Sequence, residues 1–341
     1  MERVLIAAIV GLVVSIAVGP KFIEYLRRKE LGQYIREELP EGHVVKAGTP
    51  VGGGVLILVA ASIAFLALSH YTTAALTVFF ATVACGTIGF VDDYIKLTHR
   101  RSLGLPGRWK LVLLVGVAAV VGYLAHTVEL GEDVYLPVLD VTIHLGPLWY
   151  GFVFFVIAGA ANGVNLADGI DGLAAGTGII AVFTFTVISV FTFIRSQQPA
   201  FGEASTPHLD LAILGGALLG AAIGFLWYNA FPADVIMGDT GAFALGGALG
   251  GFAIMLKAEV LLLLIGGIFV IEALSVMLQV VTFKWTGRRI FLMAPIHHHF
   301  EMKAWSQTKI MVRFWIVTGI LCAAGFALYY RYFPDFFRLR R

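Results

Sequence analysis

Residues Ala74 to Tyr94 read AALTVFFATVACGTIGFVDDY, a run of mostly apolar side chains that closes on two adjacent aspartates, Asp92 and Asp93. A helix of about 18 residues rises roughly 27 Å, near the thickness of a bilayer's hydrocarbon core. The stretch therefore predicts a membrane helix with two carboxylates at its C-terminal end. That placement is locally unfavourable. A helix C-terminus carries partial negative charge, and neighbouring carboxylates repel. Either both are solvated beside Lys96 and Arg100, or a cation compensates them.

The rest of the chain has the same character. Of 341 residues, 59% are hydrophobic and 13% are charged, and the mean hydropathy is +0.87. Soluble domains carry about 25% charged residues. This composition excludes a soluble protein, and no nucleic-acid partner is expected. Lipid requires every backbone polar group to be satisfied internally, by helices or a closed barrel. The apolar runs here are long and continuous, not short and alternating, so the fold class is all-α and polytopic. Ten spans are expected at about 4–20, 53–70, 74–91, 110–126, 148–164, 172–194, 209–228, 242–256, 259–282 and 310–330, in one membrane domain covering 1–341. The first reads as a retained span, not a cleaved signal. Residues 134–145, around Pro137 and Asp140, read as a small hairpin. Cys85 and Cys322 lie in separate apolar runs and read as packing residues.

Charge sets the orientation. Five loops (21–52, 92–109, 165–171, 229–241, 283–309), with the helix ends beside them, hold 17 of the 24 lysines and arginines. The positive-inside rule makes this face cytoplasmic and puts both termini outside. Six of ten aspartates (Asp92, Asp93, Asp168, Asp171, Asp234, Asp239) also fall in these loops. A secondary transporter would concentrate its ionisable residues near the midplane, as Glu272 alone would suit. Here they gather at one interface, which favours an enzyme.

Each loop carries its own signal. In the first, Lys46 precedes Gly52-Gly53-Gly54 and a helix start. This suits an anion, since a helix N-terminus and its free N–H groups attract phosphate; close helix packing explains the glycines equally well. In the third, Asn165 and Asp168 fit caps of the sixth span. Asp168 and Asp171, spaced i, i+3 with Gly169 and Gly172 between and after them, also fit a ligand wall. In the fourth, Asp239 lies between Gly238 and Gly241 before an apolar helix, either as an N-cap or as a metal ligand. In the fifth, His297, His298 and His299 are consecutive, so their side chains diverge, which is a poor zinc arrangement. Donation to phosphate oxygens, or tuning a metal from behind its ligands, fits them better.

These residues together resemble a known family. The pair Asp92-Asp93, the run Asn165 to Ala174, and the stretch from Pro232-Ala233 through Met237-Gly238-Asp239-Thr240-Gly241 are similar to the polyprenyl-phosphate N-acetylhexosamine-1-phosphate transferases. The triplet His297 to His299 followed by Phe300-Glu301 resembles the phospho-N-acetylmuramoyl-pentapeptide transferase branch. The likeness covers essentially the whole chain. Departures are Val51, Ala167, Ile236 and Ala242, where family members usually carry Thr, Thr, Phe and Ser; none removes a carboxylate or a histidine.

The resemblance implies transfer of phospho-N-acetylmuramoyl-pentapeptide from UDP to undecaprenyl phosphate, giving lipid I and UMP. It also implies a Mg²⁺ cofactor, a homodimer and a bacterial cytoplasmic membrane with the site on the cytoplasmic face. It implies catalytic roles for Asp92, Asp93 and Asp239: Asp92 as a base or phosphate-orienting group, Asp239 as the main Mg²⁺ ligand, and Asp93 supporting the metal or the substrate. Lys46, Asn165, Asp168, Asp171, Asn229, Gln279, His297, His298 and His299 are then expected to line the nucleotide, sugar and phosphate sites. A transferase using UDP-N-acetylglucosamine is the nearest alternative.

Overall fold

A computed structural model describes residues 1–29, 48–99, 103–196 and 206–339, with side chains as far as Tyr332. Lys46 lies outside the described residues. The helices are α1 (Glu2–Arg28), α2 (Gly54–Leu68), α3 (Thr73–Thr98), α4 (Gly107–Thr127), α5 (Leu148–Ala167), α6 (Leu173–Ser196), α7 (Thr206–Asn229), α8 (Gly238–Met255), α9 (Leu262–Ile265), α10 (Gly267–Thr286), α11 (Ile296–Glu301) and α12 (Gln307–Leu339). Among the described residues, eight helices are long and apolar enough to cross a membrane, so the chain is a polytopic membrane protein. The other two expected spans appear as α2, with 15 residues, and α8, with 18. The ninth expected span is broken at Gly266 into α9 and α10. Between α4 and α5, strands β1 (Asp133–Leu136) and β2 (Val141–His144) pair antiparallel, as the expected hairpin. Both cysteines are buried and free.

Helix α8 is the centre of the bundle. It is buried along its whole length from Thr240 to Met255, against α3, α5, α2 and α6. Its small residues make this possible, because lipid supplies no hydrophobic drive and helices in a membrane associate by close packing. A Cβ on Gly246 would lie 2.4 Å from Cα of Ala161 in α5, and one on Gly247 would lie 2.5 Å from the carbonyl oxygen of Ala81 in α3. Any side chain there pushes a neighbouring backbone away.

The end of the bundle opposite the acidic loops is fixed by buried polar ties. Asp210 in α7 is fully buried and accepts hydrogen bonds from Ser69 Oγ (2.9 Å), His70 N (2.8 Å), Thr72 N (2.9 Å) and Thr72 Oγ1 (2.9 Å). This pins the start of α3 to α7. Lys257, after α8, donates to the carbonyls of Gly131 (3.1 Å) and Asp133 (2.7 Å), which holds the hairpin.

Candidate active site

The described parts of the five loops meet at one end of the bundle. Val51 forms a parallel bridge with Ile236. Asp171 Oδ2 accepts from Ala233 N at 3.2 Å, and Gly169 packs on His297. Asp93 reaches the first turn of α8.

The acidic pair sits here because α3 and α8 cross closely. A Cβ on Gly89, one turn before Asp93, would lie 2.1 Å from the carbonyl oxygen of Asp239. With that approach, Asp93 Oδ1 accepts from Asp239 N (3.1 Å), while Oδ2 accepts from Thr240 N (2.9 Å) and Thr240 Oγ1 (2.7 Å). Asp93 therefore caps α8, where negative charge is favoured. Asp239 is not itself the cap; it stands inside the first turn, and its carboxylate is paired with Lys96 and Lys110.

Asp92 and Asp239 share two lysines. Lys96 Nζ lies 2.6 Å from Asp92 Oδ2 and 2.9 Å from Asp239 Oδ1. Lys110 Nζ, from α4, lies 3.0 Å from Asp92 Oδ1 and 2.8 Å from Asp239 Oδ2. Leu105 N also donates to Asp92 Oδ1, at 2.6 Å. Asp92 Oδ2 has Lys96 beside it but no hydrogen-bond geometry to any group. Two carboxylates thus face two ammoniums at one spot, with the third, Asp93, beside them and bonded to α8. Asp92, Asp93 and Asp239 can each present an oxygen within 4.8 Å of the others, a group able to hold a metal ion. The donors are all carboxylate oxygens, and the cluster retains net negative charge. Hard divalent cations such as Mg²⁺ take such ligands, usually one or two carboxylates with phosphates.

Lys96 and Lys110 were not among the expected site residues. Lys96 was readable, because it lies four residues after Asp92 on a helix and so shares its face. Lys110 arrives from the next helix, across a loop, and no local spacing announces it.

The third and fourth loops are stitched to each other. Asn229, buried at the end of α7, accepts from Gly172 N at 3.0 Å and donates to Val235 O at 2.9 Å. Asp168 caps the C-terminal end of α5, and Asn165 lies in the last turn of that helix, so neither caps α6. Residues 168–172 are turns, and the helical spacing expected for Asp168 and Asp171 does not apply. The Gly-rich turn before α2 is a packing device. Gly53 N and Gly54 N donate to the carbonyls of Ile236 and Met237, both at 2.9 Å, and are not available to an anion.

In the fifth loop, Gln279 accepts from Ile290 N (3.1 Å) and Phe291 N (3.0 Å) and donates to Phe291 O (3.0 Å), which anchors the chain after α10. The three histidines separate as expected of consecutive residues. His297 is fully buried, with Nδ1 3.1 Å from Glu272 Oε1. His298 Nδ1 pairs with Glu301 Oε2 at 2.5 Å, and Glu301 Oε1 accepts from Gln307 at 2.8 Å. His299 Nδ1 accepts from Leu292 N at 3.1 Å. Desolvation and the nearby Lys303 hold the His299 imidazole below its ordinary range. Beyond them Trp305 stacks on Phe300, with ring centroids 4.7 Å apart. Lys309 and Arg313 lie over the Trp305 ring at 4.8 and 4.4 Å. This is a cationic aromatic surface next to the histidines.

The pattern of glycosyl transferase family 4 matches residues 74–257, from the start of α3 to the end of α8. The chain is 45% identical to the phospho-N-acetylmuramoyl-pentapeptide-transferase of Rubrobacter xylanophilus, over 97% of this chain and 98% of the relative. It is 43% identical to the protein of that name from Frankia alni, over 98% of each. With the one from Bacillus velezensis it shares 41% identity, over 95% of this chain and 97% of the relative.

Proposed function

The chain belongs to the phospho-N-acetylmuramoyl-pentapeptide-transferase family, and from that premise we propose how its site makes lipid I for peptidoglycan. The donor is UDP-N-acetylmuramoyl-pentapeptide and the acceptor is undecaprenyl phosphate. An oxygen of the lipid phosphate forms a bond to the sugar-linked phosphorus of the donor. The bridging P–O bond breaks, and UMP leaves with its electron pair. The observation that carries this reading is the four-part cluster of Asp92, Asp239, Lys96 and Lys110 where α3, α4 and α8 meet.

The chemistry needs that cluster. A phosphate attacking a diphosphate gathers several negative charges, and preorganised cations at the reacting centre offset them. Asp239, beside Asp92, would hold Mg²⁺, which supplies Lewis-acid stabilisation of the diphosphate and of the departing UMP. Asp93 has both oxygens engaged by α8 and supports the site by fixing Asp239. Lys96 and Lys110 turn from the carboxylates to phosphate oxygens when substrate enters, exchanging one set of charge-assisted hydrogen bonds for another. A phosphate monoester is largely ionised at neutral pH, so Asp92 acts by orienting the two lysines, not by removing a proton. Asp168, Asp171, His298 and His299 border the donor, while Asn229 and Gln279 hold the loops that carry them.

The site faces the cytoplasm of a bacterial cell, because most of the chain's basic residues lie at this end. The lipid tail stays in the bilayer and its phosphate reaches the cluster from the side. We assign the working unit as a homodimer, by analogy with the family.

Donor choice follows from the fifth loop. Uridine, diphosphate and metal are common to all UDP-sugars, so the aspartates do not discriminate. The surface of Trp305, Lys309 and Arg313 beside His298 offers cationic and hydrogen-bonding partners for a lactyl-peptide. Leaving such groups unpaired can reject a smaller donor strongly. Purified protein incubated with undecaprenyl phosphate and each UDP-sugar should release UMP from the muramoyl-pentapeptide donor and little from UDP-N-acetylglucosamine. Comparable release from both would refute the donor assignment.

A further inference from the structure

Glu272 lies in the second turn of α10, inside the apolar span, and is fully buried. An ionisable side chain at that depth is costly in a bilayer and pairs with another group or serves a function. Glu272 Oε1 meets Nδ1 of His297, which is equally buried. The contact sets the direction of the ring, as a hydrogen bond to one imidazole nitrogen does for the other. Nε2 then points at the third loop, where a Cβ built on Gly169 would stand 2.2 Å from it. Glu272 Oε2 and His297 Nε2 are both buried with no hydrogen-bond partner. Buried polar atoms are rarely left so, and here both belong to one contact that bridges α10 and the loop.

We infer that Glu272 and His297 form a buried strut, and that Glu272 is a positioning residue for the Asp168-Gly169-Ile170-Asp171 loop, acting through His297. The loop is tied on one flank to the α7–α8 connection, by Asp171 to Ala233 and by Gly172 to Asn229. On the flank facing α10, the His297 ring closes against Gly169, a fit that only a residue without a side chain permits. His297 is covered by that backbone and reaches no substrate; it fixes where Asp168 and Asp171 stand. The inference rests on the reading of this loop as part of the donor site.

Two measurements on the full-length protein in detergent test it. The first is hydrogen exchange of the amides of residues 168–172. Glu272→Gln should speed their exchange and leave that of α8 unchanged, whatever the substrate proves to be. The second is kinetic. Glu272→Gln should raise the donor KM about tenfold and leave the undecaprenyl-phosphate KM unchanged, since a uniform binding contact moves KM for its own substrate alone. In a His297→Asn background the same change should add nothing, because groups acting in series are not additive. Gly169→Ala should also raise the donor KM, and His297→Asn should partly relieve that loss by making room. Should Glu272→Gln fail to accumulate in membranes, the Gly169 pair carries both measurements. Unchanged exchange with unchanged donor KM, or additive losses in the double variant, would overturn the strut. Altered exchange in a protein that releases no UMP would keep the strut and remove the functional reading.

Discussion

Asp93 Oδ2 accepts two hydrogen bonds from Thr240, one from the backbone N–H at 2.9 Å and one from the hydroxyl at 2.7 Å. A carboxylate of one membrane helix thereby caps another, and the capped turn carries Asp239. The adjacent aspartates divide the work. Asp93 turns inward and fixes α8, while Asp92 turns toward the two lysines. Their repulsion is offset by an N-terminal helix turn on one side and by ammonium groups on the other.

Thr240→Val keeps the backbone bond and removes the hydroxyl. It should lower stability by about 1.5 kcal/mol, the scale of a hydrogen bond to a charged group. Turnover should fall only modestly. Thermal unfolding in detergent reads the first effect and UMP release the second. A large loss of turnover with unaltered stability would place Thr240 among the reacting groups.

Lys96→Gln tests the lysine bridge. With the ammonium gone, rate should fall roughly 100-fold, the scale of losing one preorganised donor. The Mg²⁺ concentration at half-maximal rate should fall too, because a positive charge 2.9 Å from Asp239 no longer competes with the ion. A higher Mg²⁺ requirement would show that Lys96 helps to seat the ion instead.

The side of the membrane is open to labelling. Leu103 and Met302 are exposed at the acidic end, and Val138 is exposed at the hairpin. Cysteines placed at Leu103 and Met302 should react from the cytoplasmic side, and one at Val138 from the other. Labelling of the first two from opposite sides would contradict a shared site.

His299 gives the fifth loop a pH dependence. Its imidazole is held below the ordinary value of about 6.5, by desolvation and Lys303, and Nδ1 accepts from Leu292 N. The unfolded loop then binds the proton more readily than the folded one. The stabilising contribution is complete above about pH 6.5 and declines as pH falls toward the lowered value. Proteolysis between Thr286 and Pro295 should therefore quicken below that pH, and His299→Gln should flatten the response.

The spans were legible because an apolar run of about 20 residues has few other uses. The break at Gly266 was not, since the apolar pattern continues through it. Helix α8 owes its central place to its glycines, which lower its hydropathy and permit close approach on several faces. Within the site, the carboxylates stood out against an apolar chain, and Lys96 was within reach of a spacing rule. Asn229 and Gln279 carry a second role that spacing does not announce: each ties loop backbone through its amide. Glu272 looked like a stray midplane charge until His297, from a loop 25 residues on, proved to be its partner.

The central claim is that Asp239, held by the α3 cap beside Asp92 and the two lysines, serves phosphoglycosyl transfer. The direct measurement is UMP release from UDP-N-acetylmuramoyl-pentapeptide and undecaprenyl phosphate in saturating Mg²⁺, comparing the native protein with Asp239→Asn. Asparagine keeps the size and the helical turn but gives up the charge. The account predicts rapid release by the native protein and a loss of roughly 10²–10³-fold in the variant, with thermal unfolding unchanged. Near-native release by Asp239→Asn would contradict it.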